Sequence, residues 1–225
     1  MIRLLAPLNF IQFGKMSLEL LIGPMFAGKS SAIQSIVRRH ESMGWSVFVV
    51  TNSMDTRYSD APAVVNHDKI AIPAVAVKEL LPLLTTPEYI RARLVVIEEA
   101  QFFPDLLEFV RTVVDRNQKH CVVVGLDGDA ERRPFGQVLD LVPHCDRVTK
   151  LTAMCKRCGD GTPALFTFAA ASRAAEANAE GVPCVGSDDL YVPLCRKHYL
   201  SARFPTLEHV SAPFKETAAN LLGRI

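Results

Sequence analysis

The sequence lacks several features that would place a chain of this size in a special class. Among its 225 residues, no uninterrupted apolar run approaches the about 20 residues that a membrane-spanning helix needs. It contains no internal repeats and no low-complexity segments. Neither sign of charge is in excess, because 25 Lys and Arg face 24 Asp and Glu, for a formal net charge of +1. We therefore expect neither a membrane nor a nucleic acid as partner.

Cysteine is too sparse for a disulfide framework. The chain has six cysteines, and 49% of its residues are hydrophobic, which suits a globular protein with a substantial core. Cys121 lies in the apolar run CVVVGL and is expected to be a small core residue. The closely spaced Cys155 and Cys158 instead indicate a metal site.

Short apolar runs alternate with longer amphipathic ones from residue 18 to about residue 151. Helices are predicted at 30–43, before Gly44, at 104–117 and at 135–142. Buried strands are predicted at four β-branched runs, LELLI at 18–22, SVFVVT at 46–51, LVVIE at 94–98 and CVVVGL at 121–126. This alternation predicts an α/β fold with a mostly parallel sheet flanked by helices.

A glycine-rich loop follows the first predicted strand. It matches the pattern G-x-x-x-x-G-K-[ST] and consists of Gly23, Pro24, Met25, Phe26, Ala27, Gly28, Lys29 and Ser30. In such a loop, backbone N–H groups and the N-terminus of the next helix bind phosphate oxygens. The ammonium group of Lys29 is expected to reach the terminal phosphates, and the Ser30 hydroxyl to ligate Mg²⁺. The sequence therefore predicts a P-loop nucleotide site that takes ATP and Mg²⁺.

Two carboxylates end the third predicted strand. Glu98 is expected to orient the Mg²⁺ shell from a strand next to the P-loop. If the strand continues, Glu99 points to the other side. There it could accept the proton of a substrate hydroxyl during phosphoryl transfer.

A second group of residues has the spacing of a zinc site. Cys155 and Cys158 form one pair, and Cys195 and His198 form another, each with two residues between the ligands. Three thiolates and one imidazole complete a closed tetrahedral site, which is typical of structural Zn²⁺.

Together, these motifs resemble one family. GPMFAGKS, DTRYS at 55–59, HD at 67–68, EEAQFFPDLLEF at 98–109, LDG followed by RPFG at 133–136, LTAMCKRC and DLYVPLCRKH are similar to type II thymidine kinases, the zinc-containing cytosolic class. The resemblance runs from about Leu18 to His198. It implies a P-loop NTPase-like sheet domain with a small β-rich lasso or lid domain that binds zinc. It also implies that the ATP γ-phosphate is transferred to the 5′-hydroxyl of thymidine, in nucleotide salvage for DNA synthesis.

The resemblance also assigns roles to residues. Glu99 matches the catalytic base, with Lys29 and Arg57 as further catalytic residues. Asp55, Thr56, Arg57, Glu98 and Gln101 join the P-loop as the nucleotide-binding set. The residues implied at the thymidine site are Met25, Phe102, Leu126, Ala130, Thr167, Val182, Pro183, Cys184, Val185, Gly186 and Tyr191. The family further implies a cytoplasmic homotetramer, with a dimer as the alternative, and thymidine triphosphate as a feedback inhibitor.

Two positions depart from the family pattern. The family usually has Asp before the catalytic Glu, where this chain has Glu98, and an aromatic residue where this chain has Ala130. These departures leave two alternatives open beside an active thymidine kinase. One is a nucleotide-binding regulatory homologue without activity, and the other is a deoxynucleoside kinase of broader specificity. A zinc-ribbon nucleic-acid binder is disfavoured by the near-zero net charge.

The expected domain boundaries follow from these motifs. Residues 1–16 are expected to form an N-terminal arm rather than a signal peptide, because no small-residue cleavage site follows their broken apolar stretches. Residues 17–151 are predicted to form the nucleotide-binding domain, 152–200 the zinc-binding lid domain and 201–225 a C-terminal extension. The Ala-rich segment 172–181 is expected to be a loop between two strands.

Overall fold

The computed structural model describes residues 16–53, 63–65, 71–169 and 190–204. They form two compact units that interleave along the chain. The described residues within 1–21, 30–125 and 136–149 form the first, here called the sheet unit. Those within 22–29, 126–135 and 150–225 form the second, here called the cluster unit.

A six-stranded sheet organises the sheet unit. In chain order its strands are β1 (Ser17–Ile22), β2 (Val47–Asn52), β5 (Val75–Val77), β6 (Leu94–Ile97), β7 (His120–Gly125) and β8 (Arg147–Lys150). Across the sheet, the neighbours follow the order β5-β2-β6-β7-β1-β8. The pairs β2–β5, β2–β6 and β6–β7 are parallel, with Val50 opposite Ile97 and Ile97 opposite Val123. A mostly parallel α/β sheet, as predicted, is confirmed.

The centre of this sheet is buried on both faces. All four residues of β6 are buried, and so are Cys121, Val122, Val123 and Val124 of β7. This burial explains why the strands are continuous β-branched runs instead of alternating apolar and polar residues. Two further short strands, β3 (Ala63–Val65) and β4 (Ala71–Pro73), pair antiparallel outside the main sheet.

The helices depart more from the predicted bounds than the strands do. The first predicted helix is present as α1 (Lys29–Glu41), and Gly44 follows it with φ +74°. A short α2 (Pro87–Arg91) comes after a 3-10 turn at Leu81–Thr85. The helix predicted at 104–117 is divided into α3 (Leu106–Arg111) and a π-helical turn (Thr112–Arg116). The wider turn begins at Thr112, Val113 and Val114, whose β-branched side chains fit an α-helix less well.

The helix predicted at 135–142 is wrong. The chain there forms a 3-10 helix at Leu139–His144, and Pro143 lies inside it. Gly136 has φ +58°, a left-handed conformation that cannot belong to a right-handed helix. Only a short, tight helix therefore fits between Gly136 and β8.

Short antiparallel strands form the frame of the cluster unit. β9 (Ala153–Met154) pairs with β10 (Pro163–Ala164), and β11 (Phe166–Ala169) pairs with β12 (Tyr191–Leu194). Helix α4 (Arg196–Arg203) follows β12 directly. The unit has its own small core, made of Ala153, Cys155, Ala164, Leu194, Cys195 and Tyr199. Phe26 and Ala27 of the glycine-rich loop pack against this core.

Candidate functional site

The glycine-rich loop joins β1 to α1, as the motif requires. Gly23 has φ +151°, and a Cβ atom built on it would lie 2.5 Å from the carbonyl oxygen of Leu151. Only glycine fits there, so the loop approaches the chain at Leu151 as closely as backbone atoms permit. The ammonium group of Lys29 folds over the loop and donates to the carbonyl oxygens of Gly23 at 3.2 Å and Pro24 at 2.7 Å. The loop thus carries its cation at the start of a helix.

Ser30 and Glu98 form an oxygen pair within the sheet unit. The Ser30 hydroxyl donates to Oε1 of Glu98 at 3.0 Å, and Glu98 is only 8% exposed. Glu98 follows β6 directly, and its backbone N–H donates to the carbonyl oxygen of Val50 at 2.8 Å. A hydroxyl and a carboxylate are hard oxygen donors of the kind that Mg²⁺ takes. These two residues therefore fit the predicted magnesium ligands. The predicted placement of Glu98 on the strand next to that of the glycine-rich loop is wrong, because β7 lies between β6 and β1.

Glu99 does not continue the strand. β6 ends at Ile97, and Glu99 has φ +50° and ψ +40°, which is left-handed for a residue with a side chain. The chain turns there into a 3-10 helix at Ala100–Phe102. The alternation of side chains expected for a continuing strand therefore does not apply to Glu98 and Glu99, because the backbone turns at Glu99. Such a strained conformation persists only where its surroundings hold it, and it is frequent at functional sites.

Gln101 holds the Glu99 carboxylate. Its Nε2 atom donates to Oε2 of Glu99 at 2.5 Å, and its own side chain is 4% exposed. The Gln101 backbone lies so close to Gly136 that a Cβ atom there would be 2.2 Å from the Gln101 carbonyl oxygen. Gln101 was predicted to bind the nucleotide, and no signal in the sequence connects it with Glu99 or with Gly136.

The structure brings together two of the residues predicted at the thymidine site. The Met25 N–H in the glycine-rich loop donates to Oγ1 of Thr167 at 3.0 Å, and Thr167 is buried on β11. Leu126 and Ala130 lie in the segment 126–135 of the same unit, and Tyr191 begins β12. Phe102 lies in the sheet unit, at the end of the 3-10 turn after Glu99.

Several predicted site residues lie outside the described residues. These are Asp55, Thr56 and Arg57, and also Val182, Pro183, Cys184, Val185 and Gly186. The HD motif at 67–68 and the Ala-rich segment 172–181 lie outside them as well. Their assigned places stay predictions.

The four predicted zinc ligands lie together in the cluster unit. Their ligand atoms are all within 4.8 Å of one another. Nδ1 of His198 lies 3.4 Å from the sulfur of Cys155, 3.3 Å from that of Cys158 and 3.5 Å from that of Cys195. The sulfurs of Cys158 and Cys195 are 3.8 Å apart.

These distances match the edges of a zinc tetrahedron. Zn–S bonds of about 2.3 Å and Zn–N bonds of about 2.0–2.1 Å place ligand atoms about 3.8 Å apart for two sulfurs and about 3.5 Å apart for nitrogen and sulfur. Burial raises the pKa of Cys155, but hydrogen bonds from the backbone and from His198 outweigh burial and lower it to about 6. The thiolate that a metal needs is therefore favoured at this position. The cluster fits Zn²⁺, in agreement with the predicted ligand set.

The two described cysteines outside the cluster have a different environment. Cys121 is fully buried in β7, and burial raises the pKa of its thiol, so the residue is the inert core position that the sequence predicts. Cys145 donates from its sulfur to the carbonyl of Val142 at 3.2 Å.

In the described parts of the chain, no helix is long and apolar enough to cross a membrane.

Comparison with known proteins agrees with the arrangement of these motifs. The sequence model of the family described as "Thymidine kinase" matches residues 16–199. Thymidine kinase a of Arabidopsis thaliana is 40% identical over 194 residues, which cover 84% of this chain and 76% of the relative. The thymidine kinase of Oryza sativa subsp. japonica is 40% identical over 190 residues, covering 83% and 67%. That of Monkeypox virus is 35% identical over 186 residues, covering 82% and 97%. These matches give no support to the alternative of a regulatory homologue.

Proposed function

The chain belongs to the thymidine kinase family, and on that premise we propose how its residues divide the ATP-dependent phosphorylation of thymidine in nucleotide salvage. The observation that carries the proposal is the family match over residues 16–199, which includes the glycine-rich loop and the Glu98–Glu99 turn. The reaction transfers the γ-phosphoryl group of ATP to the 5′-hydroxyl of the nucleoside, with ADP as the leaving group.

We assign the phosphates and the magnesium ion to the loop and to the residues after it. Backbone N–H groups of residues 23–30 bind phosphate oxygens, and Lys29 moves from its loop carbonyls to the β- and γ-phosphates. Ser30 and Glu98 would hold Mg²⁺, directly or through its water shell. When bound, the ion neutralises charge on the phosphates. The hydroxyl–carboxylate pair at 3.0 Å supports this assignment.

Glu99 is the proposed general base. As the 5′-oxygen bonds to the γ-phosphorus, the carboxylate accepts the hydroxyl proton. Gln101 holds that carboxylate by donating to its Oε2 atom. Arg57 is proposed to stabilise the transferring charge, together with Asp55 and Thr56, on the strength of the resemblance alone.

The thymidine pocket is proposed at the residues that the resemblance assigns. Thr167 supports it by fixing Met25, and Leu126 and Ala130 contribute from the segment 126–135. Phe102, Tyr191 and the five residues 182–186 complete the proposed set. The zinc cluster serves structure, because four protein ligands leave no open position for substrate or water.

Assembly, regulation and location follow from resemblance only. We propose a homotetramer, or a dimer, that is inhibited by thymidine triphosphate and works in the cytoplasm. No nucleic acid or membrane is proposed as partner, since the net charge is +1.

The test is a steady-state assay with ATP, Mg²⁺ and thymidine, run beside deoxycytidine and deoxyuridine. We expect turnover on thymidine at about 1–100 s⁻¹, the ordinary range for kinases, and a much lower kcat/KM for deoxycytidine. Comparable kcat/KM values for all three nucleosides would instead mean a kinase of broader choice and would trace to the missing ring at Ala130. ATP binding without any turnover would overturn the proposal.

A further inference from the structure

Tyr199 connects the metal cluster with the segment 126–135. It follows the ligand His198 directly in helix α4, and its side chain is only 1% exposed. Its phenol group donates to the carbonyl oxygen of Ala130 at 2.7 Å. Both partners belong to the cluster unit. A single buried hydrogen bond therefore joins a residue next to a metal ligand to a position in the proposed nucleoside pocket.

The ring of Tyr199 is fixed on several sides. The rings of Phe166 and Phe168 on β11 lie 5.1 Å and 5.9 Å from it. The guanidinium group of Arg132 stacks over it at 4.7 Å, and Arg132 itself belongs to the segment 126–135. Between the two phenylalanines stands Thr167, which accepts from Met25 N–H. The Tyr199 ring therefore packs against β11 and the segment 126–135, which carry the proposed pocket residues Thr167, Leu126 and Ala130.

A second anchor joins the same helix to the same segment. Arg203, one turn after Tyr199 on α4, pairs with the carboxylate of Glu131. The consecutive residues Ala130 and Glu131 are therefore both tied to α4. Inside the segment, the Asp129 carboxylate accepts from two backbone N–H groups, at 2.8 Å and 2.9 Å. The segment has its own turn structure, and Tyr199 and Arg203 set where that turn lies on the cluster unit.

We infer that Tyr199 is a positioning residue for thymidine, which holds Ala130 and its segment in the conformation that binds the nucleoside. The inference rests on the proposed contact of this segment with thymidine. Without the phenol group, the Ala130 carbonyl loses its donor, and the segment spends part of its time in other conformations. The apparent affinity for thymidine then falls in proportion to the fraction of molecules whose segment keeps the binding conformation. A loss of this kind affects ground state and transition state alike, so it raises KM and leaves kcat nearly unchanged.

Tyr199→Phe tests the inference, because it keeps the ring and removes only the donor. We expect the KM for thymidine to rise about fivefold to tenfold, the size expected for one buried hydrogen bond. The kcat value and the KM for ATP should stay within about twofold of wild type, and bound zinc should remain stoichiometric. Hydrogen exchange of the amides in 126–135 should become faster, and this can be measured without turnover.

Tyr89→Phe is the matched control. Tyr89 is also 1% exposed, and its phenol oxygen accepts from Asn117 at 2.6 Å, but it lies in the sheet unit. This variant should lose stability without a change in the KM for thymidine or in the exchange of residues 126–135.

Three outcomes would overturn the inference. In an active wild-type background, Tyr199→Phe could leave the KM for thymidine and the exchange unchanged. Alternatively, zinc content and both KM values could change together, as for a purely structural residue. Should Tyr199→Phe fail to fold, Glu131→Gln removes the surface anchor instead, and a thymidine KM within error of wild type would count against the inference. If the wild-type protein shows no turnover, the proposed function is overturned but this inference is not. Hydrogen exchange of the amides in 126–135, compared between wild type and Tyr199→Phe, would then decide the inference.

Discussion

At the scale of single residues, the turn after β6 depends on a few atoms. Glu99 takes a left-handed conformation at φ +50°, and Gln101 donates to its carboxylate. The strain of such a conformation is of order 1–3 kcal/mol, so neighbouring contacts must hold it. The carboxylate proposed as base is therefore held both by its own backbone and by a buried amide.

Replacing Glu99 by Gln should lower kcat by about 10²–10⁴-fold, because the amide cannot accept the hydroxyl proton. ATP should still bind with nearly unchanged affinity, since Lys29 and Ser30 are untouched. Steady-state kinetics and equilibrium binding of a fluorescent ATP analogue measure the two effects.

Glu88→Gln is the control for this prediction. Glu88 is an exposed carboxylate on α2 that pairs with Arg91 at 3.5 Å, and such pairs contribute little. Its kcat should equal that of wild type. A Glu99→Gln enzyme with more than about a tenth of wild-type kcat would remove Glu99 from the role of base.

His120 gives a second prediction at this scale. Its Nδ1 lies 2.9 Å from the Ser17 hydroxyl, and its ring lies 4.8 Å from that of Trp45. Nε2 is buried without a hydrogen-bond partner among the described residues. Burial first, and then the charges of His40 and Arg93, lower the pKa of His120, against the opposite effects of Glu19 and Asp146.

The pKa of His120 is lower in the folded than in the unfolded chain, so the unfolded chain binds the proton more readily. This histidine therefore contributes stability above about pH 6.5, and the contribution is lost as the pH falls below that value. In urea unfolding between pH 8 and pH 5, His120→Gln should lose less stability on acidification than wild type. His144→Gln, at an exposed position, should follow the wild-type curve. Equal slopes for all three proteins would contradict the prediction.

At the scale of elements, strands follow local sequence more closely than helices do. The run SVFVVT predicts a strand at 46–51, and β2 occupies Val47–Asn52. The pattern at 104–117 is helical in period, but it does not reveal the change to π-helical geometry at Thr112. The central strands are set by burial on both faces, whereas the ends of the shorter helices depend on the residues that they contact.

Gly136 has a close contact of this kind, and a prediction follows from it. Gly136→Ala should destabilise the protein by more than about 3 kcal/mol, or roughly 6–12 °C in Tm, because a Cβ atom there meets the Gln101 backbone at 2.2 Å. The displaced Gln101 would also release Glu99, so kcat should fall.

Gly44→Ala separates strain from collision. Gly44 also has a positive φ, +74°, but among the described residues beyond its chain neighbours no atom lies within 4 Å of a Cβ atom built there. It should cost only about 1–2 kcal/mol, the price of a left-handed alanine. Thermal unfolding of both variants makes the comparison, and equal losses would show that the close approach at Gly136 is unimportant.

At the scale of the whole molecule, the compact units do not follow chain order. Residues 22–29, which include the glycine-rich loop as far as Lys29, and the segment 126–135 both join residues after 150 in the cluster unit. Phe26 and Ala27 of that loop pack against the small core around the metal ligands. The Cys/His cluster therefore belongs to the same unit as residues 23–29 of the glycine-rich loop.

Loss of the metal should consequently affect both substrates. Cys155→Ser should abolish stoichiometric zinc and destabilise the protein by at least about 3 kcal/mol, a part of the about 10–16 kcal/mol that zinc contributes in zinc-finger peptides. KM should rise for ATP as well as for thymidine. Metal analysis, thermal unfolding and kinetics measure these three effects.

Cys145→Ser serves as control, because this cysteine lies outside the metal cluster and its thiol donates to the Val142 carbonyl. It should keep its zinc and both KM values. If Cys155→Ser loses zinc but keeps its KM for ATP, the cluster has no influence on the glycine-rich loop.

Much of the candidate site could be predicted because its chemistry lies in short contiguous motifs. The loop 23–30 and the two ligand pairs have fixed local spacings, so they can be recognised from the sequence without knowledge of the fold. Glu98 could be placed at a strand end for the same reason. In contrast, the bonds from Gln101 to Glu99 and from Tyr199 to Ala130 depend on turns and on elements distant in the chain.

By itself, the sequence determined the four central strands of the sheet, the glycine-rich loop motif, the residues of the Cys/His cluster and the family, because each depends on residue types at short spacing. Only the tertiary structure decided that β6 ends at Ile97, that Glu99 is left-handed and that Tyr199 holds Ala130. The physical reason is that close contacts such as Gly136 against Gln101 arise between residues far apart in the chain. Their distances follow from packing, which no local pattern encodes.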